Sequence, residues 1–128
     1  MIGLGVASFG HVSGVHMQNL DTWETYGASV ERGEIPLGRA YRPSDEERMI
    51  REFVLQLKRG SVRPAYFRTK YGVDVLSRFR EGLASLQADG FLAAANEESV
   101  ALSRPGLLRV DVLLPRFFLP AHAGIRYT

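Results

Sequence analysis

The hydrophobic pattern divides the chain into an extended first part and a helical second part. Residues 2–10 form a short apolar run interrupted by glycines, which is typical of a buried strand whose backbone lies close to another group. Only residues 12–17 lie near enough in sequence to pair with this run as a hairpin. Since a buried strand with one partner is marginally stable, the pattern indicates that the chain is part of a larger protein.

Three segments of different kinds follow this run. Asp21 is a typical N-cap, and residues 22–32 carry apolar side chains over about three helical turns. Residues 33–43 contain two prolines and two glycines, and they predict a connector without regular structure. Ser44 and Glu47 have the spacing of a capping box, so a helix is expected to begin there.

The rest of the chain predicts three helices and a hairpin in a recognisable order. After the helix that begins at Ser44, helical spacing predicts helices over residues 64–71 and 74–89. Residues 91–93 and 100–102 then predict a β-hairpin with a polar turn, before a last helix over residues 106–114. Three helices followed by a hairpin is the order of elements in a winged helix.

Composition excludes several classes of protein. The chain has 128 residues, of which 45% are apolar and 23% are charged, so it is neither disordered nor fibrous. No apolar run is long enough for a membrane helix, and no secretory signal begins the chain. Cysteine is absent, which excludes disulfides, thiolate metal sites and iron–sulfur clusters within this chain. We therefore expect a cytoplasmic protein with no membrane partner.

The basic residues give weak evidence for nucleic-acid binding. The formal net charge is only +2, although all but Lys58 and Lys70 of the 16 basic residues are arginine. The third helix of a winged helix reads DNA, and here it carries Arg78 and Arg80 together with several acidic residues. The predicted hairpin turn also carries acidic side chains, Glu97 and Glu98, which repel phosphates. This charge pattern disfavours nucleic acid as a partner.

No other motif forms a complete site. Gly3 and Gly5 resemble half of a dinucleotide fingerprint, but no helix begins after them, so they indicate a strand tip that another group approaches closely. His11 and His16 are five residues apart on an extended stretch, which predicts opposite faces of a strand and no metal site. Haem ligation by one of these histidines or by His122 stays open. Nothing in the pattern predicts a catalytic residue.

An ordered set of short segments resembles the oxygen-independent coproporphyrinogen III oxidase family. The first is residues 2–8, which resemble the last barrel segment of that family, followed by Gln18 and Asn19. The remaining segments, which fall in the family's order, are Tyr26, residues 35–36, 39–41, 55–57, 71–73, 86–90 and 102–106. No one of these motifs is diagnostic alone, but the resemblance covers essentially the whole chain.

The resemblance implies a larger radical S-adenosylmethionine enzyme. Members of the family hold a 4Fe–4S cluster with a Cys-x3-Cys-x2-Cys motif and generate a deoxyadenosyl radical. That radical initiates the oxidative decarboxylation of two porphyrinogen propionates in haem biosynthesis, whereas related members are haem chaperones. Because the cysteine motif is absent here, the resemblance implies that this chain is a C-terminal part of such an enzyme, with Met1 an addition. It is then inactive alone and holds no cofactor itself.

The resemblance also assigns candidate site residues. It implies that Gly3, Gly5 and Ser8 face the cofactor cavity and that Phe9 lies at the strand tip near a tetrapyrrole substrate. Gln18 and Asn19 would follow on the adjoining loop. None of these six has an expected role in proton transfer, and none is an expected metal ligand.

We therefore predict a mostly helical α+β chain with two domains. Residues 1–43 would hold a leftover barrel strand, a linking helix and a connector. Residues 44–128 would form a winged-helix-like domain that covers the open end of the missing N-terminal barrel. The alternative is a stand-alone module, either a winged helix that binds DNA or a haem-binding or chaperone domain.

Overall fold

The computed structural model describes residues 1–122, which fall into two compact units. The first unit comprises Met1–Asp45, and the second begins at Glu46. Both units contain helices and strands, so the predicted α+β class is confirmed.

The first unit is a three-stranded antiparallel sheet with one helix. Its strands are β1 (Phe9–Val12), β2 (Val15–Asn19) and β3 (Leu37–Tyr41), in the order β1-β2-β3, and helix α1 (Trp23–Glu31) connects β2 to β3. The two residues between β1 and β2, Ser13 and Gly14, have φ angles of 49° and 78°. Two positive φ angles are typical of a type I′ turn, whose twist matches that of the strands it joins.

Several predictions for the first unit are wrong in detail. Gln18 and Asn19, expected on a loop, lie in strand β2, where they pair with β3. Residues 2–8 form no strand, because they turn back along the hairpin, and the strand begins at Phe9 instead. The predicted connector over residues 33–43 contains β3, whose pairing with β2 outweighs its weak local strand signal. The N-cap of α1 is Thr22 rather than Asp21, since the Thr22 hydroxyl accepts a hydrogen bond from the Thr25 amide.

The second unit contains the predicted helices followed by a hairpin, together with a short strand after its first helix. A three-stranded antiparallel sheet in the order β4-β6-β5 lies among its helices. In chain order the elements are α2 (Asp45–Lys58), β4 (Ser61–Val62), α3 (Pro64–Tyr71), α4 (Val75–Arg78), α5 (Arg80–Ala88), β5 (Leu92–Ala95), β6 (Val100–Leu102), α6 (Arg104–Leu108) and α7 (Val110–Leu113). Short 3₁₀ turns follow at Leu114–Phe117 and Pro120–His122.

Two helices predicted as continuous are each divided. The helix predicted over residues 74–89 is interrupted at Phe79, where φ is −110° and ψ is 23°. The last predicted helix is interrupted in the same way at Arg109. The break at Phe79 accompanies its burial, because the Phe79 ring stacks on Phe53 with the centroids 4.3 Å apart. Tertiary packing therefore overrides the local helical preference.

The hydrophobic core lies in the second unit and centres on Phe53. Its ring is fully buried and contacts three other rings, those of Phe67, Phe79 and Phe117. Gly82, which is unfavourable in a helix, lies beneath one of them. A Cβ atom at Gly82 would stand 2.8 Å from Cε1 of Phe117, so the close approach of this ring explains the glycine.

Candidate functional site

Side chains of the first unit hold residues 2–8 against the hairpin. The Asn19 amide Nδ2 donates to the carbonyl oxygens of Gly3 and Gly5, at 3.1 and 2.9 Å. The Gly5 N–H in turn donates to the Tyr26 hydroxyl, at 3.1 Å. A Cβ atom at Gly3 would lie 2.3 Å from the Phe9 carbonyl oxygen. The group that approaches Gly3 is therefore the backbone of its own chain.

Ser8 and Gln18 complete this arrangement. The Ser8 hydroxyl donates to the Leu4 carbonyl at 2.7 Å, and the Gln18 Nε2 donates to the Ala7 carbonyl at 3.1 Å. The Gln18 Oε1 accepts a hydrogen bond from the Arg39 Nε at 2.7 Å. Gln18 therefore joins the glycine-containing segment to β3. The structure thus gives Gly3, Ser8, Gln18 and Asn19 a part in holding the segment in place.

The strand register creates a distinct face on this sheet. Residues directly opposite one another across an antiparallel sheet project to the same side. Here two adjacent rows lie on one side, Phe9–Gln18–Arg39 and His11–His16–Tyr41. We call these six residues the histidine face. It contains two of the six predicted site residues, Phe9 and Gln18, and it carries no carboxylate.

The histidine pair contradicts one prediction. His11 and His16 were expected on opposite faces of a strand, but the turn places them opposite each other on adjacent strands. Their ring centroids are 4.6 Å apart, with 33° between the ring planes. The signal was present in the sequence, because a two-residue turn at Ser13 and Gly14 fixes this register. The expectation failed because it treated residues 11–16 as one extended strand.

The chemistry of the histidine face suits a planar or anionic ligand. Phe9 is 59% exposed and Tyr41 is 52% exposed, so both rings offer apolar surface. Arg39 contributes a guanidinium, which pairs well with carboxylates. The two imidazoles can donate hydrogen bonds or ligate a metal.

The first unit also exposes much of its apolar surface. Only Gly10, Ser29 and Pro43 are buried among residues 1–45. Its strongly exposed apolar side chains, each more than two-thirds exposed, are Met1, Ile2, Leu4, Trp23 and Ile35. Exposed apolar side chains in this density typically mark a surface that another body covers.

Two cations of the second unit, Arg68 on α3 and Arg78 on α4, form ion pairs with carboxylates. Arg78 pairs with Glu46 at 2.6 Å, and Arg68 pairs with Glu97 at 2.7 Å. The hydrogen bond and the charge of Glu97 raise the pKa of Arg68. Glu97 lies on the turn between β5 and β6, where the sequence predicted it. The potential for binding phosphates is correspondingly reduced.

A second polar cluster, which no sequence pattern revealed, lies between α2 and α3. The Glu52 carboxylate accepts hydrogen bonds from the Tyr66 hydroxyl, the Tyr71 hydroxyl at 2.5 Å and the Lys70 ammonium at 2.8 Å. Burial favours the neutral acid, but these hydrogen bonds outweigh it and lower the pKa of Glu52 to about 2. The charged Glu52 carboxylate therefore connects α2 to α3. Because it is held in its charged form, it is a poor general acid.

The residues present do not fit an iron–sulfur cluster. The sequence has no cysteine, so it offers no thiolate ligand. Within residues 1–122 no three histidine, aspartate or glutamate side chains converge on a point where a metal would sit. His122 instead lies against Glu47, with Nε2 and Oε1 2.7 Å apart. In the same residues, no helix is long and apolar enough to cross a lipid bilayer.

The chain is similar to a known protein in structure, although no protein family matches its sequence. No protein-family model matches the chain, and no curated protein matches it. One solved structure does, that of "Coproporphyrinogen III oxidase (HemN) from Escherichia coli", a radical SAM enzyme. The TM-score is 0.81 at 18% sequence identity, over 91% of this chain and 27% of that one.

The chain shares the fold of that enzyme's C-terminal region. This confirms, at the level of the fold, the resemblance found in the sequence. The chain spans about a quarter of the length of the matched enzyme. The activity of the complete enzyme is therefore not a property that this comparison assigns to the chain.

Proposed function

We propose that this chain is the C-terminal, substrate-covering part of a larger enzyme related to oxygen-independent coproporphyrinogen III oxidase. The observation that carries the proposal is the shared fold over 91% of the chain, which extends through both units. The larger enzyme would decarboxylate porphyrinogen propionates in haem biosynthesis, in the cytoplasm. Its S-adenosylmethionine and 4Fe–4S cluster would be bound outside this chain, which has no cysteine.

The exposed apolar surface of the first unit supports this proposal. A sheet and one helix with no buried large apolar side chain cannot gain much free energy of folding from their own contacts. The N-terminal barrel of the same enzyme is the partner we propose for that surface. Covering the surface would also exclude water from the reaction site, where a carbon radical requires protection from side reactions.

The histidine face supports a tetrapyrrole as substrate. Phe9 offers a flat ring, and Arg39 offers a cation for a propionate carboxylate. Gln18 orients Arg39 through the 2.7 Å hydrogen bond to its Nε. We do not extend the proposal to nucleic acid, because carboxylates neutralise Arg68 and Arg78 in the second unit.

The test compares full-length enzyme with a variant that lacks residues 46–128. The measurement is anaerobic conversion of coproporphyrinogen III to protoporphyrinogen IX, with S-adenosylmethionine and a reductant supplied. The proposal predicts turnover at background in the truncated variant. Full turnover without these residues would contradict it.

Point variants keep the test informative if the truncated enzyme does not fold. Arg39→Ala is expected to raise KM in the full-length enzyme, because it removes the cation that would pair with a propionate carboxylate of the substrate. The substitution does not disturb a buried group. Glu98→Gln is the control, since its side chain lies on an exposed turn of the second unit. An unchanged KM in Arg39→Ala would remove the histidine face from the substrate site.

A further inference from the structure

We propose that His11 and His16 form a two-imidazole binding site for a divalent transition-metal ion such as Cu²⁺, Ni²⁺ or Zn²⁺. The site lies on the β1–β2 hairpin of the first unit. The proposal is argued from the geometry of the hairpin and does not rest on the proposed enzymatic function.

The hairpin brings the two side chains as close as an antiparallel sheet allows. The His11 N–H and carbonyl bond to Met1 rather than to β2, at 2.7 and 2.9 Å. His11 and His16 therefore form a non-hydrogen-bonded pair, the type in which facing side chains are closest. The turn at Ser13 and Gly14 fixes this register, so the pair is organised before a ligand binds.

The ring geometry is compatible with two nitrogen ligands on one ion. Metal–nitrogen bonds of about 2.0–2.1 Å at a tetrahedral angle place the two nitrogens about 3.3 Å apart. The ring centroids are 4.6 Å apart and the planes are 33° from parallel. The χ2 torsion of histidine is broad, so the rings can reorient about it when an ion binds.

The surroundings select the class of metal. None of the six residues of the histidine face is aspartate or glutamate, whose oxygens are the ligands that Ca²⁺ and Mg²⁺ prefer. Imidazole nitrogen instead favours copper, nickel and zinc. His11 is exposed, so water can complete the coordination. Arg39 is the one cation among the six residues of the histidine face, and its Nε donates a hydrogen bond to the Gln18 Oε1.

Titration calorimetry of the full chain with CuCl₂, ZnCl₂ and MgCl₂ tests the proposal. We expect one saturable site for Cu²⁺ and Zn²⁺, tighter for Cu²⁺, and no binding of Mg²⁺. His11→Asn and His16→Asn should each weaken Cu²⁺ binding by about tenfold or more. His122→Asn is the matched control and should leave the affinity within about twofold, because the proposed site uses only the imidazoles of His11 and His16.

A second measurement guards against variants that misfold. Paramagnetic Cu²⁺, added below one equivalent, should broaden the imidazole proton signals of both His11 and His16 in the unmodified chain. Absence of a saturable site, or affinity unchanged in both His11→Asn and His16→Asn, would overturn the proposal. So would broadening of His122 alone.

Discussion

The two units of this chain differ in what holds each of them together. The second unit has a closed apolar core, in which Phe53 and Phe67 are completely buried. The first unit has no comparable core, and its segments are joined by hydrogen bonds from Asn19, Gln18 and Tyr26 to backbone atoms. Hydrogen bonds on a partly exposed surface contribute about 1 kcal/mol each, whereas a buried aromatic ring contributes several times more.

The difference shows that backbone geometry and stability have separate origins in this protein. The second unit can stabilise itself by burying apolar surface. The first unit has a defined conformation, but its large apolar side chains, including Trp23 and Ile35, remain exposed. This asymmetry is what we expect if the first unit completes its packing on another part of a larger polypeptide.

The largest expected effect is that of an aromatic truncation in the core. Phe53→Ala should lower the free energy of unfolding of the second unit by about 3–5 kcal/mol, because it leaves a cavity among three other rings. Trp23→Ala, the control in the first unit, should change stability by less than about 0.5 kcal/mol, since Trp23 is 74% exposed. Urea denaturation followed by circular dichroism measures both. Equal losses in the two variants would contradict the contrast between the units.

An intermediate effect is expected from acid. The pKa of Glu52 is lowered to about 2 in the folded chain, so its contribution is fully present above its ordinary pKa of 4.5. As the pH falls from 4.5 toward about 2, that contribution, about 2–3 kcal/mol, should be lost. Glu52→Gln should lack this loss, so the two unfolding free energies should converge at the lowest pH.

The control for this acid dependence is Glu98→Gln. Glu98 lies exposed on the turn between β5 and β6, away from the Glu52 cluster, so this variant should keep the acid-dependent loss of the unmodified chain. Urea titrations at several pH values between 7 and about 2 make the comparison. Parallel curves for Glu52→Gln and the unmodified chain would show that the cluster of Glu52, Tyr66, Lys70 and Tyr71 does not stabilise the second unit.

The smallest expected effect is local to the first unit. Asn19→Ala removes the donor to the Gly3 and Gly5 carbonyls and should release residues 2–8 at a cost of about 1 kcal/mol. Exchange of the Ala7 amide hydrogen, which bonds to the Leu20 carbonyl, should become about fivefold faster. Asn96→Ala, in a turn of the second unit, should leave that amide unchanged. If the exchange rate of the Ala7 amide is unchanged in Asn19→Ala, a contact other than the Asn19 hydrogen bonds holds residues 2–8.

The sequence was a better guide to the second unit than to the first. Capping at Asp74, the glycine stop at Gly72 and the hairpin signals are local, and the structure confirms each of them. The two-residue strand β4 was missed, because so short a segment has no periodicity. The break at Phe79 was also missed, since it arises from packing against Phe53 rather than from a local signal.

The candidate site was harder to predict because it depends on strand register. Strand β3 has glycine at position 38 and no clear alternation, so only its pairing with β2 reveals it. Without β3, the row that joins Gln18 to Arg39 cannot be constructed. The resemblance identified Phe9 and Gln18 as candidates, but their place beside His11 and His16 emerges only from the folded hairpin.

We propose that another part of the same polypeptide covers the exposed apolar side chains of the first unit. The most direct test is the mass of the native protein in a lysate of its source cells, determined with an antibody against the second unit. We expect a polypeptide several times heavier than the 14.3 kDa of this chain. A native protein of 14.3 kDa would contradict it, and would indicate a stand-alone binding module.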